Sequence, residues 1–331
     1  MRELAAKLST KQRLLKVREI LERYTDEENQ LTIREIIDLL DSDQPIGVHT
    51  VRDDIKELEE SGLFDVIEQQ EKNGLEKYYS HQNRLFELHE LRVLVDAVSA
   101  ARFITKNDSE KLIEKLKKLT SDHLAKQLEN RILLIDGVKT ENSHVKYAIH
   151  TLHGAICKRQ VVRFQYGKYN LDKQFQLRRD GGFYYVKPLG LIWNFNFYYL
   201  IGQYEPDGDI RHYRVDRMRN VTALERTFLP DPGFDISKYT SKLFHMYSGE
   251  ERNVEIEFDN HLINVVIDRF GLNVPITRHT ENTFRISTPA VSSDGLVRWL
   301  LTWGADAKVL NPPELVKRIK EETEKMRKQY E

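Results

Sequence analysis

The 331-residue chain holds a single cysteine, Cys157, so it can close no intramolecular disulfide and build no cysteine-based zinc site. A reducing cytosol suits such a chain. No apolar run approaches the ~20 residues that a membrane-spanning helix needs, and the N-terminus, Met1-Arg2-Glu3-Leu4-Ala5-Ala6-Lys7, lacks the apolar stretch of a secretory signal. A soluble, cytoplasmic protein is expected. Glycine-rich phosphate loops, a nucleophilic serine elbow and a His-Glu helix motif are all missing, and no acid–base pair stands out. Neither an enzyme nor a cofactor is expected. His150 and His153 sit at i, i+3 without a third ligand at useful spacing, which leaves no metal site. Cys157 follows an apolar helix face, where cysteine is usually a small buried hydrophobe.

Net charge is also scarce: 51 Lys+Arg against 52 Asp+Glu leave −1, which at face value disfavours a polyanion partner. By region the balance differs. Residues 1–80 hold 12 basic and 19 acidic side chains, net −7, whereas residues 158–226 hold 13 against 7, net +6; residues 81–157 carry +2 and 227–331 carry −2. A basic middle between acidic ends marks separate modules with separate partners. The length, about twice that of a usual domain, agrees.

Periodicity locates the elements. Leu14, Leu15, Val17, Ile20, Leu21 and Tyr24 fall at helical spacing. A second helix starts at Thr32, with Glu35 completing a capping box, and a third runs from Gly47 to about Glu60 with Val51, Ile55 and Leu58 buried. Two extended runs then flank the hairpin turn Lys72-Asn73-Gly74. Three helices and a hairpin is the winged helix-turn-helix order. Residues 85–130 predict two helices, separated and capped by Asn107-Asp108-Ser109, as a spacer or, preferably, a dimerisation element. After a helix from 146, the segments Val161–Tyr166, Phe183–Leu191, Phe197–Gln203 and Ile210–Val215 read as strands of a small antiparallel barrel. Beyond Pro230-Asp231-Pro232-Gly233, strand patterns alternate with helices, a small α/β sandwich.

In a helix-turn-helix the start of the recognition helix enters the major groove. His49, Thr50, Arg52 and Lys56 are therefore the base- and phosphate-contact candidates, Arg52 foremost for guanine. Lys11 and Arg13 on the first helix and Lys72 and Lys77 on the wing add positive charge for phosphates. An acidic helical module that packs against protein is the alternative. Residues Ile46–Ile55 resemble the recognition helix of deoxyribose-operon-repressor-type regulators, with Gly47 in place of the usual capping serine and Asp53 in place of a second arginine. Both departures predict weaker contacts.

Phe197-Tyr198-Tyr199-Leu200-Ile201-Gly202 and Arg211-His212-Tyr213-Arg214-Val215-Asp216-Arg217-Met218, preceded by Lys187-Pro188-Leu189-Gly190-Leu191, resemble the WYL domain. Tyr198 stands for the name-giving tryptophan. Leu296–Lys308 with Pro312-Pro313-Glu314-Leu315 is similar to the WCX extension that follows WYL domains. The resemblance implies an Sm/SH3-like barrel that senses a nucleotide or nucleic acid for a DNA-binding module. Strand alternation sends Tyr198, Leu200, Tyr213 and Val215 to the barrel interior and Tyr199, His212, Arg214 and Asp216 outward. Tyr199, His212 and Arg214, with Arg211, Arg217, Lys187 and Trp193 nearby, are the expected ligand contacts. In the alternative, Arg214 pairs with Asp216 or Asp209 and the arginines form a solvated face.

The expected fold is thus a multidomain α+β chain: winged helix-turn-helix (1–80), helical connector and dimerisation element (81–140), WYL-like barrel (141–228) and WCX-like α/β extension (229–331). The expected function is a ligand-responsive, homodimeric regulator of transcription on double-stranded DNA. An RNA- or single-stranded-DNA-binding accessory protein, using the basic barrel, is the alternative.

Overall fold

The computed structural model describes residues 8–40, 42, 45–70, 76–128, 139–194, 196–244, 246–247 and 249–331. The chain divides into two compact units, Met1–Ser143 and His144–Glu331. Among the described residues, eleven α-helices and three antiparallel sheets form them.

In the first unit, Ser9 starts α1 (Thr10–Tyr24) through a capping box with Gln12. A two-residue strand, β1 (Leu31–Thr32), leads into α2 (Ile33–Leu39), where the Thr32–Glu35 capping box is present as expected. α3 (Val48–Glu60) starts at Gly47, whose missing side chain leaves the first-turn amides without a cap. Its stripe of Val51, Ile55 and Leu58 is buried with Val17, Ile20 and Leu21 of α1 and Ile33 and Ile36 of α2. Each such side chain contributes roughly 1.5–3 kcal/mol. The strands β2 (Ile67–Gln70) and β3 (Lys77–Ser80) follow, and β1 joins them in the order β1-β3-β2. Lys72 and the turn around it lie outside the described residues.

The helices α4 (Leu88–Ala100), α5 (Lys106–Lys117) and α6 (Asp122–Gln127) complete this unit. The start of α5 corrects the expectation. Thr105 caps it by accepting from the Asp108 amide at 3.1 Å, so Asn107, Asp108 and Ser109 lie inside the helix. A threonine N-cap with an aspartate three residues on satisfies first-turn amides as well as Asn107 would.

The second unit opens with α7 (Val145–Cys157). The strands β4 (Gln160–Tyr169), β5 (Phe175–Leu177), β6 (Phe183–Asn194), β7 (Phe197–Tyr204), β8 (Ile210–Arg214) and β9 (Met218–Thr227) follow. They form one sheet, β5-β4-β6-β7-β8, with β9 also on β4. The expected barrel is not closed: β8 and β9, separated only by the 3-10 turn Val215–Arg217, do not pair among the described residues. Phe164, Tyr166, Tyr184, Leu200, Tyr213 and Val215 are buried, the rings meeting mostly edge to face or stacked. Tyr198 is only half-buried, stacked on Trp193 at 5.9 Å. Leu200 and Ile201 point to opposite faces of β7 and neither is exposed, so the sheet is covered on both sides.

The second cover is a strap, residues 234–244 with 246 and 247, containing α8 (Ile236–Ser241). Ile201, Leu243 and Met246 are buried there, with Ile192, Tyr199, Ile210, Phe234, Ile236 and Tyr239 packed around them. Gly190 lets Ile236 approach, since a Cβ on it would lie 2.0 Å from the Ile236 Cδ1. The strands β10 (Glu250–Asp259), β11 (Ile276–Arg278), β12 (Thr283–Ser292) and β13 (Ala307–Asn311) form a second sheet, β11-β12-β10-β13. Three helices, α9 (Ile263–Phe270), α10 (Asp294–Leu301) and α11 (Pro313–Gln329), share its core, including Val254, Phe258, Val266, Leu296 and Leu315. Trp299 packs among Phe244, Phe258 and Phe270, as core.

Candidate functional site

The residues singled out by sequence lie in two regions, around α3 and on the first sheet of the second unit. On α3, burial of Val51, Ile55 and Leu58 turns His49, Arg52 and Lys56 outward, all exposed, while Thr50 is half-buried. Arg52 has no hydrogen bond or ion pair among the described residues, and it lies close enough to Lys77 of β3 for the two charges to oppose one another. Lys77 is held by Glu68 across the hairpin at 2.6 Å, which raises its pKa. Lys56 meets Glu60 at 3.4 Å. Lys11 is exposed. Arg13 is not part of this surface: it grips Asp54 of α3 through two hydrogen bonds, 2.6 and 3.0 Å. Its guanidinium is spent on the joint between α1 and α3, because Asp54 is buried and needs a cation.

On the first sheet of the second unit, β7 and β8 pair Tyr199 with Arg214 and Ile201 with His212. The outward face expected for Tyr199 and His212 is covered by the strap. His212 Nδ1 donates to the Met246 carbonyl at 2.6 Å, and its Nε2 accepts from the Tyr239 hydroxyl at 3.0 Å. Burial holds its pKa below the ordinary histidine range, partly offset by the Met246 carbonyl. Arg214 forms the ion pair foreseen as the alternative, a two-point contact with Asp216 at 3.1 and 2.8 Å, with its guanidinium 3.5 Å over Phe197. Arg211 turns to the other face, over Tyr204 at 4.3 Å and paired with Asp207. Arg217 is half-buried near Tyr166 and Tyr199, whose titration it influences. Lys187 lies on β6 opposite Gln203, and Trp193 is half exposed against Tyr198. These seven residues therefore do not converge on one open site.

An open groove lies elsewhere in this unit, about 540 Å³, between α7, β5 and the start of β9. It is lined by His144 at the N-cap and Tyr147, Ala148 and Thr151 of α7, by Phe175 and Leu177 of β5, by Gln165 of β4 and by Met218 and Arg219 of β9. The Arg219 guanidinium rests 4.0 Å over the Phe175 ring and donates from Nη1 to the carbonyls of Asp216 and Met218, at 3.0 and 2.7 Å. Burial lowers its pKa, and the charges of Tyr169 and Asp216 offset this only in part.

Residues 148–223 match the family model of the WYL domain, and residues 250–327 match that of the WCX domain. The chain carries a WYL domain followed by a WCX domain. No curated protein matches it. Among solved structures, proteasome accessory factor B/C (PafBC) of Arthrobacter aurescens is similar at 16% identity, over 93% of this chain and 45% of that one, with a TM-score of 0.28. This chain thus spans less than half of PafBC. A CRISPR Cas-related protein is similar at 11% identity, over 90% of this chain and 76% of that one, with a TM-score of 0.38.

Sequence alone did not single out Arg179, Arg219 or Phe175 of the WYL domain. Arg179 lies in a tight turn at positive φ and stacks over Tyr184 and Tyr204 at 4.6 and 5.0 Å, donating to the Tyr204 hydroxyl. A signal for Phe175 exists in Gly167: a Cβ there would lie 2.5 Å from the Phe175 ring, so the glycine seats the ring. Cys157, expected to be buried, is exposed, 3.9 Å from His153 Nδ1. No group of three or more metal-ligating side chains, and no helix long and apolar enough to cross a membrane, occurs among the described residues.

Proposed function

We propose that this chain is a ligand-responsive regulator of transcription that binds double-stranded DNA as a homodimer. Residues 1–80 act as a winged helix-turn-helix, and the WYL domain senses a nucleotide or nucleic-acid ligand. It works as a cytoplasmic binding protein and not as an enzyme. The observation that carries this function is the outward face of α3. His49, Arg52 and Lys56 project from a helix pinned by its apolar stripe and by Arg13–Asp54, with Arg52, which has no partner among the described residues, beside the Lys77 strand. A rigid helix with an uncommitted arginine on its first turns suits major-groove contact, and a flanking lysine suits phosphate contact.

The net −7 of residues 1–80 works against a single module, so two copies are needed for firm binding. The test is an anisotropy titration of the full-length protein on duplex fragments selected from genomic DNA, at several salt concentrations. Binding should weaken steeply with salt, and Arg52→Ala should weaken it at least about tenfold. Duplex binding that is absent, or unchanged in Arg52→Ala, would sink it. The net +6 of residues 158–226 favours a second function, single-strand binding by the WYL domain. Tighter binding of the full chain to single strands than to any selected duplex would decide for it.

A further inference from the structure

Among the described residues, the groove between α7, β5 and β9 is lined by no acidic side chain and by a half-buried arginine, Arg219, without a carboxylate partner. Asp216, whose charge Arg219 feels, is held by Arg214. Among the described residues, Arg219 is bonded through Nη1 alone, to carbonyl oxygens, which cannot neutralise it. A desolvated guanidinium in that state favours an incoming anion, and its planar fork suits phosphate oxygens.

The walls add a second requirement. Phe175 is fixed by Gly167 beneath it, by Arg219 over its face and by Tyr169 at its edge, 5.4 Å between ring centroids. Tyr147 of α7, which also lines the groove, is 63% exposed, with the Lys146 ammonium 5.3 Å from its ring. An exposed ring beside one cation, in a groove lined by a second, suits a ligand with one flat ring and one anionic group. About 540 Å³ accommodates a small molecule of that kind.

We propose that this groove is a binding site for a mononucleotide, its phosphate on Arg219 and its base against Tyr147. The assignment rests on the WYL domain being the sensor, but moves the contacts from the covered Tyr199–His212 face to the α7/β5/β9 groove. The test is calorimetric titration of the full-length protein with the four 5′-ribonucleoside monophosphates, their nucleosides and inorganic phosphate. At least one monophosphate should bind, with its nucleoside and inorganic phosphate each at least about tenfold weaker. Arg219→Gln should weaken binding about tenfold or more, and Tyr147→Ala about fivefold or more. Tyr147 is exposed, so its variant keeps the site testable if Arg219→Gln folds poorly.

No binding of any monophosphate below about 1 mM, or binding unchanged in both variants, overturns the site. Loss of binding in Arg214→Ala, with Arg219→Gln and Tyr147→Ala unaffected, also overturns it while leaving the sensor function standing. Mobility shift on duplex DNA, read in parallel, reports the regulator function separately.

Discussion

His212 on β8 meets the hydroxyl of Tyr239 on α8 at 3.0 Å, while its other ring nitrogen holds the Met246 carbonyl. A carbonyl only accepts, so Nδ1 carries the proton and Nε2 of the neutral ring accepts the hydrogen bond of the Tyr239 hydroxyl. Both nitrogens of this histidine are spent on fastening the strap to the WYL sheet. Its pKa is depressed by burial, so the unfolded chain takes up a proton at higher pH than the folded one. Stability from the neutral ring is full above the ordinary histidine range, near 6.5, and is lost as pH falls through the depressed folded value. His81 in the first unit is depressed in the same direction by burial. The three tryptophans, Trp193, Trp299 and Trp303, lie in the second unit, so tryptophan fluorescence reads that unit separately. Its melting temperature should fall between pH 7.5 and 5. His212→Gln should melt lower at pH 7.5 and show a smaller fall; an equal fall in both proteins would exclude His212 as a source.

Gly295 in the first turn of α10 faces the Phe244 backbone so closely that a Cβ would lie 2.1 Å from the carbonyl oxygen and 2.9 Å from its carbon. A backbone segment inside a packed core does not give way as a side-chain tip does. Gly295→Ala should therefore destabilise the second unit by about 2 kcal/mol or more, visible as a lower urea midpoint by tryptophan fluorescence. Gly271→Ala is the contrast. At φ +83 its cost is conformational, since nothing lies within 4 Å of the new Cβ.

Asp54 sits on the apolar stripe of α3, between Val51 and Ile55, with Arg13 of α1 as its partner. Removing the carboxylate leaves a largely buried guanidinium without an anion, and Asp54→Ala should cost about 3 kcal/mol. Hydrogen exchange of the α1 and α3 amides measures it in the first unit. Lys11→Ala, on the exposed side of α1, should leave exchange unchanged. Equal protection in wild type and Asp54→Ala would show that the pair contributes nothing.

The same pair shows how far sequence carries. The α1 and α3 helices, the Thr32 cap and the hairpin strands were legible because local periodicity and capping decide them. Arg13 looked like a phosphate contact because it lies among basic residues. Its partner is 41 positions away, and the available clue was a carboxylate on a stripe that must be buried. The WYL sheet repeats the lesson. Alternation placed Leu200, Tyr213 and Val215 inside, but adjacent apolar Leu200 and Ile201 signalled a strand covered on both faces. That is why Tyr199 and His212 lie under the strap. Arg219 on β9 and Tyr147 on α7 escaped notice because they lie 72 positions apart in sequence, and no local pattern joins them.

Asp26, just beyond α1, is buried and accepts hydrogen bonds from the Ser121 hydroxyl at 2.5 Å, the Asn29 side chain at 2.7 Å and the amides of Glu28 and Asn29. Ser121 also caps α6, so one contact ties the first three helices to the helical segment after them. Arg23–Asp122, at 2.9 Å, is a second tie, but more exposed and correspondingly weaker. Burial alone would raise the Asp26 pKa; the Ser121, Asn29 and Glu28 bonds outweigh it and hold the carboxyl below its ordinary range. Stability from this ionised group is therefore present above about pH 4 and lost as pH falls through the depressed folded value. Ser121→Ala removes one charge-assisted bond together with the α6 cap and should cost about 2 kcal/mol. Hydrogen exchange should localise the loss to α6 and residues 25–29, with α3 amides protected as before at neutral pH. If α6 exchanges at the wild-type rate, the Asp26–Ser121 contact does not hold the joint.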